Sequence, residues 1–428
     1  MQNEAEILAL DFKKDFPLLA GKDIAYLDNS ATSQRPQCVI DAMEKFYLQH
    51  NANPLRGLYQ LAMEATDIYE DARIAVQKFI NAKRAEEIIF TRNASESLNL
   101  IAYSYGLHNL KPGDEIVTTI MEHHSNMLPW RMVAAATGAV VKYIDCEADG
   151  SISDEAIEKA ITEKTKIAAM AQIGNVLGRL NPIEKLIARA HEVGAVAVID
   201  GAQSAPHMVV DVQKLDADFF VFSGHKMLGP MGIGVLYGKR KLLNAMPPFL
   251  HGGEMISIVS REGQEYAPLP HKFEAGTVNA GGAAGLAAAI EYINKIGFDV
   301  IEAREEALTR LCFEGLKKIP GIRIIGGDKA EDHKGIVTFL VDGVHPHDIA
   351  AILDADGVNI RAGNHCAQPL LDHLGTGATA RASMAFYNTK EDVEKFLASV
   401  ASLRERSEEH TSELQSLEDL VCRLLLEK

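Results

Sequence analysis

Short, mainly apolar runs rich in β-branched residues alternate with stretches of helical periodicity from about residue 86 onward. The runs are EEIIF, DEIVTTI, VVKYI, TKIAAMA, AVAVID, DFFVFS and GIGVLYG. Strands of this kind are typical of a sheet buried on both faces. Between them, residues 182–193 repeat apolar positions at three- and four-residue spacing, which predicts a helix. The alternation predicts an α/β fold with a mostly parallel sheet covered by helices.

The pattern changes after about residue 288. Residues 289–316, rich in Glu, Ala and Leu, predict one long helix, and GIRIIG, GIVTFLV and VNIRAG predict short strands around a helix that opens at His347. This texture predicts a smaller α+β domain. We therefore expect an N-terminal segment (residues 1–21) packed on the small domain, a large domain (22–288), the small domain (289–405) and a tail (406–428).

The tail begins with RSEEHTSELQS, which looks like the translation of a sequencing-library adapter. The alternative is an amphipathic helix, because Leu and Val recur at helical spacing between Leu414 and Leu425. We interpret residues 406–428 as a non-native tail, and we expect no function of Cys422 within it.

Composition and charge narrow the class of protein. The chain has 428 residues, 47% apolar and 24% charged, with a mean hydropathy of −0.04, which is typical of a globular protein. An excess of acidic residues gives a net charge of −16, so we expect no nucleic-acid partner. No apolar run approaches the roughly 20 residues of a bilayer span, and the amino terminus is charged where a signal peptide would be apolar. We expect a cytoplasmic protein without a membrane partner.

The cysteines predict neither a disulfide framework nor a cysteine-built metal site, because they are odd in number, scattered and without a C-x-x-C pair. They are Cys38, Cys146, Cys312, Cys366 and Cys422. The pair His345 and His347 has no Cys or carboxylate cluster beside it, and we interpret it as the turn at a helix start. We expect no metal.

Lys226 closes the segment DFFVFSGHK, directly after an apolar strand. Ligands bind at the carboxyl ends of strands in open α/β sheets, so a lysine there is a candidate for Schiff-base chemistry. The alternative is a loop lysine in water.

Asp200 ends the strand AVAVID. A carboxylate in that position costs several kcal/mol unless it has a cationic partner, and the protonated pyridine nitrogen of pyridoxal phosphate is one such partner. The alternative is an ordinary helix cap.

A third strand end, FTRNASES at residues 90–97, leads into a helix whose free N–H groups could hold a phosphate. An ordinary capped helix is the alternative. The segment GIGVLYGK at 232–239 is not a P-loop, because the glycine spacing is short and Arg240 stands where Ser or Thr is needed.

Six motifs in order carry a family resemblance. They are MEHHSNMLPW (121–130), NVLG (175–178), VIDGAQ (198–203), SGHK (223–226), FEAGT (273–277) and RAGNHCAQPL (361–370). From about residue 10 to 403 the chain resembles the group II, SufS-like cysteine desulfurases and selenocysteine lyases of the class V aminotransferase superfamily. The resemblance implies the aspartate aminotransferase-like fold (fold type I) of enzymes that depend on pyridoxal 5′-phosphate.

The resemblance also implies cofactor contacts. Lys226 would form the Schiff base, Asp200 would pair with the ring nitrogen and Gln203 with the ring hydroxyl, and His123 would stack on the ring as a catalytic residue. The phosphate would be held by Ala94, Ser95, Ser223 and His225, and by Thr277 from the second subunit of a homodimer.

For the substrate, the resemblance implies L-cysteine, with L-selenocysteine as the alternative, bound by Asn175, Arg361 and Arg381. Lys226 would remove a proton, and the thiol of Cys366 would take the sulfur as a persulfide, leaving L-alanine. A SufE- or SufU-like acceptor protein would then receive the sulfur for iron–sulfur cluster assembly.

Arg361 and His365 flank Cys366, and we expect both to favour its thiolate. Selenocysteine lyase or another β-eliminating or transaminating enzyme remains an alternative function, as does an inactive sulfur carrier or assembly scaffold. The chain departs from the family pattern at Leu55 and Tyr59, where many relatives have histidines, and at His251, where they have glycine.

Overall fold

The computed structural model describes residues 4–403, and the predicted tail with Cys422 lies outside them. The strands are β1 (Ala25–Tyr26), β2 (Ile88–Thr91), β3 (Glu115–Thr119), β4 (Val140–Ile144), β5 (Thr165–Ala171), β6 (Val196–Asp200), β7 (Phe219–Ser223), β8 (Gly234–Gly238), β9 (Ile256–Val259), β10 (Gln264–Tyr266), β11 (Ile322–Ile325), β12 (Ile336–Val341), β13 (Val358–Asn359), β14 (Arg361–Gly363) and β15 (Thr379–Ser383).

The helices are α1 (Glu4–Leu8), α2 (Gln37–Lys45), α3 (Gln60–Phe79), α4 (Ala94–Ile101), α5 (Leu107–Asn109), α6 (Leu128–Thr137), α7 (Asp154–Ala160), α8 (Ile183–Glu192), α9 (Val212–Leu215), α10 (Arg240–Ala245), α11 (Ala280–Ile296), α12 (Phe298–Lys317), α13 (Pro346–Ala355), α14 (Gln368–His373) and α15 (Lys390–Ala401). None of these helices combines the length and hydropathy that crossing a bilayer requires.

The large sheet has the order β2-β8-β7-β6-β5-β3-β4. All neighbours are parallel except β8, which is antiparallel to β2 and β7. No crossover helix separates β7 from β8, and a short connection of this kind produces an antiparallel pair. The predicted strands and the mostly parallel α/β sheet are confirmed.

The central strands of this sheet are buried on both faces, which explains why they are mainly apolar. In β6, Ala197 and Ile199 belong to one core, while Val196 and Val198 belong to the core on the opposite face. Since side chains alternate between faces along a strand, a strand between two cores needs apolar residues at every position. Asp200, the acidic residue that ends β6, is therefore an exception to this pattern.

A second, antiparallel sheet has the order β11-β12-β15-β14 and encloses a third core with α12, α13 and α15. The N-terminal segment packs on this part of the chain. The rings of Phe12 and Phe386 contact each other edge to face, and Lys13 forms an ion pair with Asp392 at 2.6 Å. Farther along the chain, β1 pairs with β13. The domain boundaries given above stay a prediction.

The prediction of one helix over residues 289–316 is wrong. The structure has two helices, α11 and α12, separated by Gly297 at φ +86°, a left-handed conformation that ends a helix. Helix α11 also begins nine residues earlier than predicted, at Ala280 against the predicted start at Ala289. Its first turns are rich in Gly and Ala and lack an amphipathic pattern, because they pack closely on a neighbour. A Cβ at Gly281 would lie 2.9 Å from the ring of Tyr47.

Candidate active site

A cavity of about 180 Å³ lies where β5, β6 and β7 end, and residues of the second sheet close it. Among the predicted site residues, those that line it are Ala94, Ser95, His123, Asn175, Asp200, Gln203, Ser223, His225, Lys226, Arg361 and Arg381. Two predicted residues are not among its lining residues. Cys366 lies on a loop beside it, and Thr277 is exposed on a different surface pocket.

Lys226 ends a short helical turn that follows β7 directly. This turn is tight, since a Cβ at Gly224 would lie 2.8 Å from Ile233. The Lys226 side chain lines the cavity and does not extend into bulk water. Burial lowers the pKa of Lys226 to about 8, an effect that Asp200 opposes and Arg381 strengthens. A sizeable fraction of this amine is therefore uncharged near neutral pH.

Asp200 is 6% exposed, and its Oδ1 accepts a hydrogen bond from the Ala202 N–H at 2.9 Å. The residues that follow form turns, and no helix begins there in the described chain. The helix-cap alternative is therefore wrong. Burial raises the pKa of Asp200, while the nearby Lys226 lowers it. Asp200 thus offers a buried carboxylate for a cationic group in the cavity.

His123 lies on the loop between β3 and α6. Its Nδ1 accepts the Ser125 N–H at 3.1 Å, so the ring proton resides on Nε2. Burial and the charge of Lys226 lower the pKa of His123 to about 3, and the ring is neutral. Ser125 also bonds the Ser95 hydroxyl at 2.6 Å. Sequence reasoning missed Ser125, although it lies two residues after the histidine in the same motif.

Glu122 is a second residue that sequence reasoning missed, and its buried carboxylate stabilises the loop that contains His123. Its carboxylate accepts hydrogen bonds from Thr119 Oγ1 (2.8 Å), Asn126 Nδ2 (2.6 Å) and the Ala171 N–H (3.0 Å). These donors connect the ends of β3 and β5. Because Glu122 is fully buried, its pKa is raised to about 7.

The predicted phosphate residues come together at the start of α4. The Ala94 N–H donates to Ser223 Oγ at 2.8 Å, and the side chain of Asn93 caps the helix by accepting the Glu96 N–H at 3.0 Å. The capped helix is therefore confirmed, and because the positive end of this helix also faces the cavity, phosphate binding there stays a prediction.

Arg381, on β15, is 2% exposed. Its Nη1 donates to the Asn175 carbonyl at 2.7 Å, and its Nη2 lies 3.3 Å from the carboxylate of Asp28. Burial lowers the pKa of Arg381 to about 10. Arg361 is its cross-strand partner on β14. Two guanidinium groups thus lie at one end of the cavity, and the sequence had not indicated Asp28 as their counter-ion.

Several buried polar atoms of the cavity wall have no hydrogen-bond partner within the described residues. They are Ser30 Oγ, Gln203 Oε1, His365 Nδ1 and Arg381 Nε. Leaving a buried polar atom unpaired costs about 1–3 kcal/mol. A wall with both donors and acceptors unpaired, next to two guanidinium groups, fits a polar ligand that carries negative charge.

The Cys366 loop joins β14 to α14. His365 (φ +53°) and Cys366 (φ +56°) are both left-handed, which costs roughly 1–2 kcal/mol per non-glycine residue. Three hydrogen bonds to the backbone of these two residues hold this shape, and the His365 ring also bonds Thr379 Oγ1 at 2.9 Å. Asn175 Nδ2 donates to the His365 carbonyl (2.8 Å), the His124 N–H donates to the Cys366 carbonyl (2.7 Å), and the Cys366 N–H donates to Asn364 Oδ1 (3.1 Å). Cys366 itself is partly exposed.

The expectation that His365 acts as a cation beside Cys366 is wrong. The ring is buried near Arg381 and Arg361, and burial lowers the pKa of His365 to about 3. It is therefore neutral, whereas Lys226 and Arg381 are cationic groups that interact electrostatically with Cys366. Elsewhere, burial raises the pKa of Cys146 to about 11 and of Cys312 to about 12, so neither is a nucleophile at neutral pH.

The departures from the family pattern lie on surface loops. Leu55 is left-handed at φ +77°, and Arg56, one residue later, pairs with Glu254 at 2.8 Å. His251 packs its ring on Tyr266, with centroids 5.9 Å apart.

The histidine pair before α13 is a helix-start turn, since His345 caps the helix. Among residues 4–403, no cluster of His, Cys, Asp or Glu could hold a metal ion.

Residues 25–396 match the model of the aminotransferase class-V family. The chain is similar to a probable cysteine desulfurase of Halalkalibacterium halodurans, 49% identical over 93% of this chain and 98% of that one. It is also similar to one of Staphylococcus aureus, 50% identical over 92% and 96%.

Among solved structures, the cysteine desulfurase CsdA of Escherichia coli superposes with a TM-score of 0.87 at 40% identity, over 95% of this chain and 99% of that one. The cysteine desulfurase of Thermococcus onnurineus does so with a TM-score of 0.88 at 43% identity, over 94% and 98%.

Proposed function

The chain belongs to the aminotransferase class-V family and is a cysteine desulfurase with pyridoxal 5′-phosphate as cofactor. We propose a role for each of its site residues in that reaction. The observation that carries the proposal is the placement of an amine, a carboxylate and a nearby thiol around one cavity. Lys226 and Asp200 line its floor, and the Cys366 loop lies at its side.

The cavity wall fits the cofactor at each of its polar groups. Asp200 offers a buried carboxylate to a protonated ring nitrogen, and the unpaired Oε1 of Gln203 can accept a ring hydroxyl. The neutral ring of His123 would stack on the cofactor. The start of α4, with Ala94, Ser95, Ser223 and His225, would hold the phosphate.

When bound, the cofactor supplies an electron sink for the substrate's α-carbon. Lys226 would hold the cofactor covalently through Nζ, and its lowered pKa makes the uncharged amine available for that role. The same nitrogen would accept the proton from the substrate's α-carbon.

The substrate carboxylate would bind at the end of the cavity with two guanidinium groups. Arg381 Nε has no partner there, and a guanidinium binds a carboxylate in a fixed geometry. Arg361 adds positive charge, and Asn175 adds an amide donor.

Cys366 Sγ, as the thiolate, would form a bond to the substrate sulfur while the bond from that sulfur to the β-carbon breaks. The electron pair of the broken bond stays with carbon, which takes up a proton and becomes the methyl group of L-alanine. Cys366 then carries the persulfide. We propose a SufE- or SufU-like protein as its acceptor, serving iron–sulfur cluster assembly in the cytoplasm.

A homodimer would complete the site, with Thr277 reaching the phosphate of the partner. Thr277 is exposed in a surface pocket that is separate from this chain's own cavity, which supports that placement. Leu58 and Leu250, on loops joined by the ion pair of Arg56 with Glu254, are also exposed, as residues of an apolar interface would be in a single chain.

The test is to incubate the purified protein with L-cysteine and a thiol reductant, measure L-alanine, and locate the persulfide by alkylation and mass spectrometry. Cys366→Ala should keep the yellow cofactor and release almost no alanine. Cys38→Ala, which changes an exposed cysteine far from the cavity, should match the wild type.

Alanine release from L-cysteine by Cys366→Ala at the wild-type rate would contradict the persulfide role of Cys366. Release of sulfide and pyruvate in place of alanine would favour a β-eliminating lyase. Turnover of L-selenocysteine alone by that variant would favour selenocysteine lyase. A wild-type protein that releases no alanine would be a carrier or scaffold.

A further inference from the structure

The carboxylate of Glu274 is buried three residues before Thr277, the residue that the proposed function places at the phosphate of the partner. Only 1% of the Glu274 side chain is exposed. Its carboxylate accepts two hydrogen bonds from the guanidinium group of Arg73, at 2.7 and 2.9 Å, one from the Tyr69 hydroxyl at 2.8 Å and one from the Phe90 N–H at 2.7 Å. These donors lie on α3 and β2.

Arg73 is itself held in one orientation. Its side chain is 1% exposed, its Nε donates to the carboxylate of Glu70 at 2.9 Å, and its Nη1 also donates to the Ile88 carbonyl at 2.8 Å. Burying two charges is expensive, and an apolar pair of similar volume often stabilises a fold as well or better. What the ion pair adds is a fixed direction, because a guanidinium binds a carboxylate through two parallel hydrogen bonds. The position of the Glu274 side chain relative to α3 is therefore closely defined.

Thr277 lies in a segment with less support of its own. The segment connects the short helical turn His271–Phe273 to the start of α11, and Thr277 is exposed on it. Just before it, Gly276 is left-handed at φ +86°, and its N–H donates to a carbonyl of the loop before β9 at 3.0 Å. Asn279, just after it, is exposed. Glu274 is thus the buried end of this segment.

We propose that Glu274 is a positioning residue for Thr277 and that it acts on the cofactor of the partner subunit. The inference rests on the proposed function, which places Thr277 at the partner's phosphate. A hydroxyl binds a phosphate oxygen only within hydrogen-bond distance, so a shift of about 1 Å weakens the contact. The chain's own phosphate site is affected less. Phe90 lies on the strand that leads to Ala94, but pairing with β8 over residues 88–91 also holds that strand.

The experiment uses mixed dimers in which one site alone can form the yellow covalent adduct with pyridoxal 5′-phosphate. Two differently tagged chains are co-expressed and purified together with the cofactor. In the first dimer, a wild-type chain is combined with a chain that has both Lys226→Ala and Glu274→Gln. In the second, a Glu274→Gln chain is combined with a Lys226→Ala chain. Alkaline phosphatase consumes any released cofactor, and loss of the yellow absorbance gives the release rate from the site that retains Lys226.

Glu274→Gln puts an amide N–H where the carboxylate accepted donors, so the pairing with Arg73 is broken. In the first dimer, the yellow site receives Thr277 from the altered chain. Release should be about tenfold faster than from a dimer of wild-type and Lys226→Ala chains, as for a weakened hydrogen bond to a charged group. In the second dimer, the yellow site receives Thr277 from a chain with native Glu274, and release should not change. A merely structural role would accelerate release in the second dimer at least as much.

Asp218→Asn is the matched control. Asp218 is also buried, its carboxylate pairs with Lys239 at 2.9 Å, and it accepts a strand N–H, that of Ala197, at 2.8 Å. It precedes β7, whereas the cavity lies where that strand ends. Asp218→Asn should leave the release rate unchanged in either chain.

Tyr69→Phe is a milder second variant, because it removes one hydrogen bond to Glu274 and keeps the ion pair. Placed in the Lys226→Ala chain, it should accelerate release from the wild-type site about two- to threefold. Thermal unfolding checks that each variant is folded. If Glu274→Gln does not fold, Tyr69→Phe decides the question by the same comparison of the two dimers.

Thr277→Ala in the first arrangement tests the proposed function separately. If it leaves release from the wild-type site unchanged, or if the protein forms no dimer, the placement of Thr277 and the role of Glu274 fail together. If Thr277→Ala accelerates release but Glu274→Gln and Tyr69→Phe do not, Glu274 does not position Thr277, while the proposed function stands. The same conclusion follows if Glu274→Gln acts equally in both dimers.

Discussion

The cavity wall and the Cys366 loop hold their reactive groups in different ways. Behind the wall, Glu122 accepts three hydrogen bonds from the ends of two central strands, and every partner is buried. In the loop, Cys366 is partly exposed, its backbone is left-handed, and its N–H donates to the side chain of an exposed asparagine, Asn364.

This difference matches two tasks. Groups that bind a cofactor and direct protons need fixed positions, which rigid strand ends provide. A group that collects sulfur from a substrate and then gives it to a second protein must visit two places. The structure therefore puts the carboxylate at the end of β6, the amine on the tight turn that follows β7, and the thiol on a loop whose conformation is costly to maintain.

Replacing Lys226 should have the largest effect. Lys226→Ala removes the amine, so alanine production should fall by about three orders of magnitude or more, as for other covalent catalytic residues. The fold should remain, since a cavity side chain is removed. Lys241→Ala changes an exposed lysine and should leave the rate unaltered. Wild-type alanine production by Lys226→Ala would show that the fixed wall does not contain the reactive amine.

Arg381→Lys should come next. A lysine keeps the charge but not the fork that binds a carboxylate, and it leaves Asp28 and the Asn175 carbonyl without their donors. We expect kcat/KM for L-cysteine to fall about 100-fold, in line with 2–3 kcal/mol for a charged hydrogen-bonded contact. Arg323→Lys, on an exposed position of β11, is the control. An unchanged KM in Arg381→Lys would mean that the substrate carboxylate binds elsewhere.

The pH dependence of cofactor loading tests whether the Lys226 amine is held in the buried cavity wall. Only the neutral amine of Lys226 can react with the cofactor's aldehyde, and its pKa is lowered to about 8. Below that value the loading rate of the cofactor-free protein should rise about tenfold per pH unit, and above it the rate should level off. Stopped-flow absorbance measures this. A plateau that begins only near pH 10 would mean that Lys226 is not buried as described.

The smallest effects concern stability. At pH 8, above the pKa of about 7 that burial gives Glu122, its carboxylate is ionised. Glu122→Gln then leaves at least one buried donor without an acceptor and should lower the free energy of unfolding by about 1–3 kcal/mol. Asn364→Ala, in the loop, should change it by less than about 0.5 kcal/mol. Denaturant unfolding compares the two, and equal losses would remove the distinction between wall and loop.

The strands of the large sheet could be predicted because they are mainly apolar, and the central ones lie between two cores. Asp200 and Lys226 could be recognised from the same apolar runs, because Asp200 is the polar residue that ends one run and Lys226 follows another. The strand of Arg381 could not be found in this way, since Thr-Ala-Arg-Ala-Ser has no apolar run, and only the family resemblance indicated Arg381. Helix α11 was partly missed because its glycines serve close packing.

Other features depend on the assembled fold and leave no pattern in the sequence. The neutrality of His365 follows from burial beside two guanidinium groups that come from different strands. The left-handed backbone at Cys366 is held by partners far away in the chain, above all Asn175. The roles given to the individual site residues remain predictions until the variants are measured.

The ion pair of Asp28 with Arg381 also bears on the order in which the cavity forms during synthesis. Its two residues are 353 positions apart in the sequence, so Asp28 can pair with Arg381 only after β15 has left the ribosome. The parallel sheet, complete by Gly238, can form earlier, since chains are made and domains fold from the amino terminus. A nascent chain could thus contain Lys226 after its finished strand and still lack the guanidinium end of the cavity. Productive capture of substrate is consequently a property of the completed chain.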